Sequence, residues 1–154
     1  LQNLGDDWMG IFPNANLEIE EEQQIINFKD TKEPLFDFKK KQIVIMDGKI
    51  IYCTYRQKIE QWVELIIQTT VNKYKVYKDT GFGFSKLYEY RGHQIFASNF
   101  GISELKREMK EKLEGHKEII LAKNIKISQD FNVLRIELTL ELTEEELEKE
   151  VIIE

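Results

Sequence analysis

The segment from Val133 to Leu142 alternates without a break. Leu134, Ile136, Leu138, Leu140 and Leu142 fall on one side of an extended chain, and Arg135, Glu137, Thr139 and Glu141 fall on the other. A period of two fits a half-buried β-strand and not a helix. At ~3.3 Å per residue the strand would span roughly 33 Å, longer than a small domain needs. Its aliphatic face needs a cover. Asn124 to Ser128 alternates as well, and Gln129 to Asn132 reads as the turn between the two.

Cover comes from two helical stretches. Ile59, Trp62, Val63, Ile66 and Ile67 recur at steps of three and four from Lys58 onward, while Lys58, Glu60, Gln61, Glu64 and Gln68 face away. The β-branched run Thr69 to Val71 ends that helix. Tyr74, Val76, Phe82 and Phe84 then read as a short strand broken by Gly81 and Gly83. A second helix is expected with Ser103 as its N-cap, Leu105, Met109 and Leu113 along one face and Gly115 as terminator, followed by a helical turn from Lys117 to Leu121. Ahead of the first helix, Leu35 to Phe38 and Gln42 to Met46 read as strands. Asp47-Gly48 is a hairpin turn and Lys49 to Tyr52 the return strand.

These elements define an α+β fold, a mainly antiparallel sheet with two principal helices packed on one side and extended mobile termini. Residues 1–34 have no sustained period and read as an N-terminal arm. Residues 35–142 form a single core domain, and 143–154 an acidic C-terminal extension. Thr143 to Glu146 matches a capping box for a short acidic helix, and Val151 to Ile153 reads as a closing apolar tag. Removal of that extension is expected to leave a folded domain. In the arm, Trp8 and Phe12 either cover the protein's own core or contact a neighbouring subunit.

A net charge of −6 over 154 residues argues against a general affinity for phosphate backbones or anionic membranes. The single cysteine, Cys53, lies among Ile50, Ile51 and Tyr52 and reads as a small buried hydrophobe in a reducing compartment. No run reaches the ~18 apolar residues that cross a bilayer. His93 and His116 have no paired-ligand spacing, and no cofactor or metal is expected. Gly81 and Gly83 lack the third glycine and the Lys-Ser/Thr of a phosphate cradle. Carboxylates are abundant, yet none stands out as half of a glycosidase pair. Lys73, Tyr74, Lys75, Tyr77, Lys78, Lys86, Tyr88, Tyr90 and Arg91 interleave cations with aromatics. With Asp79 and Glu89 inside that patch, a protein-facing surface or an ordinary half-exposed strand is favoured over single-stranded nucleic acid.

The order of features from residue 33 to 142 resembles a known family. Its carriers are Phe36-Asp37-Phe38, the Asp47-Gly48 hairpin, the helix with Trp62 and its Thr-rich end, Tyr74 to Tyr77, the turn ending in Phe82-Gly83, Gly92, and a helix followed by two strands. Together they look like the small, lysozyme-like baseplate wedge proteins of contractile phage tails, the sheath initiators, in the version found in Gram-positive prophages and phage-tail-like bacteriocins. Members carry a Pro-Gly-Glu-Arg type stretch where this chain has Asn72 to Lys75, so the contacts of that Glu and Arg do not transfer.

The resemblance implies a non-enzymatic structural protein in six copies around the tail tube. Its implied partners are sheath protein, wedge proteins, tube or hub proteins and other copies of itself, with no nucleic acid and no membrane. It would be assembled in the host bacterial cytoplasm and then carried in the virion or released particle. The sheath contact it implies is strand exchange, and the long alternating strand beside apolar ends agrees with it. The expected interface residues are Leu134, Ile136, Leu138, Leu140, Val151, Ile152, Ile153, Trp8 and Phe12. The alternatives are a peptidoglycan-degrading glycosidase and a nucleic-acid-binding module.

Overall fold

In the computed structural model, which describes residues 27–85, 87, 99–130 and 133–153, the alternating decapeptide is strand β6, Val133–Leu142. (The strands are numbered β1 to β7 and the helices α1 and α2 in chain order.) Its aliphatic side chains Leu134, Ile136, Leu138, Leu140 and Leu142 are all buried. β6 is the centre of a three-stranded antiparallel sheet, flanked by β5 (Ile119–Asp130) and β7 (Glu146–Ile153). The chain forms two compact units, Leu1–Thr31 and Lys32–Glu154. Of the first, the described part is a 3₁₀ turn, Phe28–Asp30, whose Asn27 cap accepts from the Lys29 amide.

β7 corrects the sequence reading. The Thr143 to Glu146 pattern caps no helix: Leu142 N donates to Glu145 O at 2.8 Å and closes a two-residue turn instead. Leu134 then pairs with Ile153, Ile136 with Val151 and Leu140 with Leu147. Leu147, Val151 and Ile153 are buried, so residues 143–154 supply part of the core and their removal would open it. The period of two was masked because Lys149 takes an inward position and Ile152 an outward one.

β5 begins at Ile119, where a further helical turn was expected. Its pairing with β6 slips at Ile119/Leu121 and again at Lys123/Lys126, next to Asn124 at φ 56°. The second bulge inverts the alternation. Ala122 and Ile127, of opposite parity, therefore stand beside the buried Leu140 and Ile136.

Helix α1, Tyr55–Gln68, starts three residues before Lys58 because Thr54 and Gln57 form a reciprocal capping box. Ile59, Val63, Ile66 and Ile67 are buried as the periodicity predicts, and Trp62 is half-buried. Lys58, expected to face solvent, is only 2% exposed; a long aliphatic stem allows such enclosure. Helix α2, Asn99–Glu114, starts upstream of Ser103, which lies inside it, and buries Leu105, Met109 and Leu113. Gly115 N bonds Glu111 O at 3.1 Å as the helix ends. α1 contacts β7 and α2 contacts β5, so the buried face of the sheet is covered and the other face stays in water.

The expected strand between Tyr74 and Phe84 is absent. A 3₁₀ turn, Lys75–Tyr77, stands there, and one parallel bridge joins Thr70 to Phe84. Gly83, at φ 97°, permits that bridge, since a Cβ would lie 2.5 Å from Thr69 O. Of residues 85–90, only Ser85 and the buried Leu87 lie within the described residues.

The N-terminal hairpin forms as expected. β1 (Phe36–Asp37) pairs with β2 (Gln42–Ile43), and β3 (Ile45–Met46) with β4 (Lys49–Ile50). Asp47 at φ 50° and Gly48 at φ 72° make the turn. Gln61 of α1 anchors this ribbon, accepting from Phe36 N at 2.8 Å and donating to Pro34 O at 3.3 Å.

Candidate assembly interface

The expected interface side chains do not stand at a surface together. Leu134, Ile136, Leu138, Leu140, Val151 and Ile153 are enclosed by the chain itself, while Ile152 is exposed. Trp8 and Phe12 lie outside the described residues. β6 has a partner on each side, so it offers no free edge; the sheet's edges are β5 and β7. A neighbour that joins this sheet meets backbone, which sequence periodicity does not display.

The two edges differ. The Leu142 to Glu145 bond fixes which residues of β7 exchange hydrogen bonds with β6: Glu145, Leu147, Lys149, Val151 and Ile153. The amides and carbonyls of Glu146, Glu148, Glu150 and Ile152 consequently point outward. Arg56 Nη1 reaches Glu146 O at 3.4 Å; the outward groups of Glu148, Glu150 and Ile152 have no partner among the described residues. On β5 the equivalent outward amide, Ala122 N, is already satisfied by Glu114 Oε1 at 3.0 Å. The bulge at Asn124 breaks that edge further on. β7 is thus the regular, open edge, and β5 the blunted one.

Charge is graded across the solvent face. β5 brings Lys123 and Lys126, β6 brings Arg135, Glu137 and Glu141, and β7 brings Glu146, Glu148 and Glu150. Lys123 bridges Glu141 and Glu146, and Arg135 meets Glu150 at 3.0 Å. Hydrogen bonds donated to Glu146 and Glu141 hold the Lys123 ammonium above its usual pKa. Glu137 and Glu150 are direct register partners of like charge, and Glu148 has no ion pair among the described residues. At the hairpin end, Arg56 ties α1 to Glu145 at 2.9 Å and pairs with Glu60, one turn along the same helix, at 3.1 Å. On the inner side, Lys149 meets Glu64 of α1 at 2.9 Å.

A second surface is apolar. Ile45 and Ile50 are register partners on the N-terminal ribbon, and alternation sets Ile43 and Tyr52 on the same face. All four are exposed, with Met46 at the tip. Lys39, Lys40, Lys41 and Lys49 rim this ribbon. Cys53, half-buried, lies 3.7 Å from Gln61 Oε1; burial and then Glu33 push its thiol up, which keeps it protonated.

The aromatic and basic loop is partly folded onto the body. Tyr77 stacks on Phe82 at 4.5 Å between ring centroids, and Phe82 meets Trp62 edge-on at 6.2 Å. His116 packs against Trp62 at 4.4 Å, and burial lowers its pKa. Lys73, Tyr74, Lys75 and Lys78 remain exposed; Lys86, Tyr88, Tyr90 and Arg91 lie outside the described residues. Among the described residues no three His, Cys, Asp or Glu side chains group as metal ligands, and no helix is long and apolar enough to cross a membrane.

The residues missed in the sequence are Glu146, Glu148 and Glu150. Their spacing, with Leu147 between the first two and Val151 after the third, carried the signal. No curated protein matches the chain. A family model described as contractile injection system sheath initiator matches residues 32–146, which begins where the larger compact unit begins. That match makes the protein a structural component of a contractile injection system, of the phage-tail type, that meets sheath and baseplate. The chain belongs to the contractile injection system sheath initiator family.

Proposed function

We propose that this protein joins the baseplate wedge to the tube region and templates the first sheath ring by accepting a foreign strand along the outer edge of β7. The observation that carries the reading is the row of outward backbone groups at Glu148, Glu150 and Ile152, without partners among the described residues and on an edge without bulges. Backbone pairing supplies affinity in strand addition, and alternate side chains set the register. The apolar ribbon face of Ile43, Ile45, Ile50 and Tyr52 is assigned to neighbouring baseplate subunits, since an exposed apolar patch of this kind marks a contact surface. In a ring of six copies many such weak joints act together. The role needs no catalytic group and agrees with a family of structural components.

Glu150→Pro tests the reading. Glu150 N points away from β6, so proline leaves the sheet's own bonds intact while it removes an edge donor and obstructs an added strand. The variant should melt within a few degrees of wild type yet fail to retain sheath protein in co-sedimentation. Undiminished retention would overturn strand addition at β7.

A further inference from the structure

We infer that the strand accepted by β7 is cationic on its solvent side, with Lys or Arg at alternate positions beside Glu146, Glu148 and Glu150. This rests on the proposed strand addition and specifies its partner. The argument starts from geometry. Only outward residues of β7 border an added strand on the solvent face, and these are Glu146, Glu148, Glu150 and Ile152. Side chains directly opposite across strands stand about 4.5–5.5 Å apart at Cβ, where like charges repel and opposite charges attract.

The acids of β7 are only partly answered from within. Glu146 leans back to Lys123 and Glu150 to Arg135, while Glu148 has no ion pair among the described residues. Every cation on this face belongs to β5 or β6, and β7 contributes none. An incoming acidic strand would extend a like-charged column that already includes the Glu137 to Glu150 pairing. A cationic strand would neutralise it. Inward positions follow a different rule: beside Leu147, Val151 and Ile153 the added strand meets apolar neighbours, interrupted at Lys149, whose ammonium is held by Glu64. The expected partner therefore alternates basic with aliphatic residues. An apolar residue faces Ile152 at the far end.

The test uses the full chain and two synthetic strands of about nine residues, the length of a common strand. Both carry valine at the inward positions; one carries Lys and the other Glu at the outward ones. At about 50 mM salt the Lys peptide should bind about tenfold more tightly, and the gap should shrink at about 500 mM as the Debye length contracts. Glu148→Lys, at an exposed position without an ion pair among the described residues, should narrow the gap and also weaken retention of sheath protein. Equal binding of both peptides, abolished alike by Glu150→Pro, would overturn the charge rule and leave strand addition standing. Binding of either peptide that Glu150→Pro does not affect would overturn both.

Discussion

Lys149 and Glu64 meet at 2.9 Å on the covered side of the sheet, with 22% and 12% of their side chains exposed. A lysine in the middle of an edge strand's apolar face interrupts the surface that would make the strand adhere to anything extended. The pair also fixes β7 to α1. The same contact thus braces the hairpin and restrains indiscriminate pairing at the open edge.

Replacing Lys149 alone leaves the Glu64 carboxylate poorly solvated and without its cation, with only the Gln68 side-chain amide donating to it, at 2.6 Å, among the described residues. Lys149→Met should cost about 1–3 kcal/mol in chemical denaturation, with Glu64→Leu/Lys149→Met recovering most of it. The double variant should self-associate more readily, read by light scattering.

Leu147 and Ile152 are five residues apart on one strand and opposite in environment, 0% and 41% exposed. Leu147→Ala should destabilise by about 2–5 kcal/mol through the cavity it leaves. Ile152→Ala should stay within about 0.5 kcal/mol. Equal losses in thermal melts would show that β7 does not hold its observed register.

Gly83→Ala should be the costliest single-methyl change outside the helices. The backbone conformation alone carries roughly 1–3 kcal/mol for a non-glycine residue. The added carbon must also push away Thr69 O, the acceptor of the 2.9 Å bond from Phe84 N. Far-UV circular dichroism should be retained while the melting temperature falls by several degrees.

His116 gives a pH dependence whose sign follows from its surroundings. Burial against Trp62 favours the neutral imidazole and lowers the folded-state pKa below 6.5. The contribution to stability is complete above that unfolded value. As pH falls from about 6.5 toward the lower folded value, the unfolded chain gains a proton that the folded chain resists, and stability is lost. Wild type should lose more stability than His116→Gln between about pH 7 and 5, measured as the difference between their denaturation midpoints.

What could be read in the sequence was set by side-chain periodicity. β6 appears with its observed bounds because every second residue is aliphatic. The face of Leu105, Met109 and Leu113 appears because helical spacing is unbroken there, and the ribbon turn because Asp47-Gly48 allows few alternatives. β7 was obscured by one inward lysine and one outward isoleucine. The starts of both helices were misplaced because Thr54 with Gln57 caps across a polar stretch, and α2 runs back past a plausible N-cap at Ser103. Least legible was the edge itself. The binding groups assigned to β7 are amides and carbonyls common to every residue, and only the topology of three strands shows which remain unspent.

The bond from Ala122 N to Glu114 has a larger consequence than its 3.0 Å suggests. That flank is obstructed at Ala122 and broken by the bulge at Asn124, which leaves β7 as the more regular edge for the proposed strand addition. Under the proposed strand addition such a seed would be vectorial, each protomer setting the heading of the first layer laid upon it before any contact with the layers beyond.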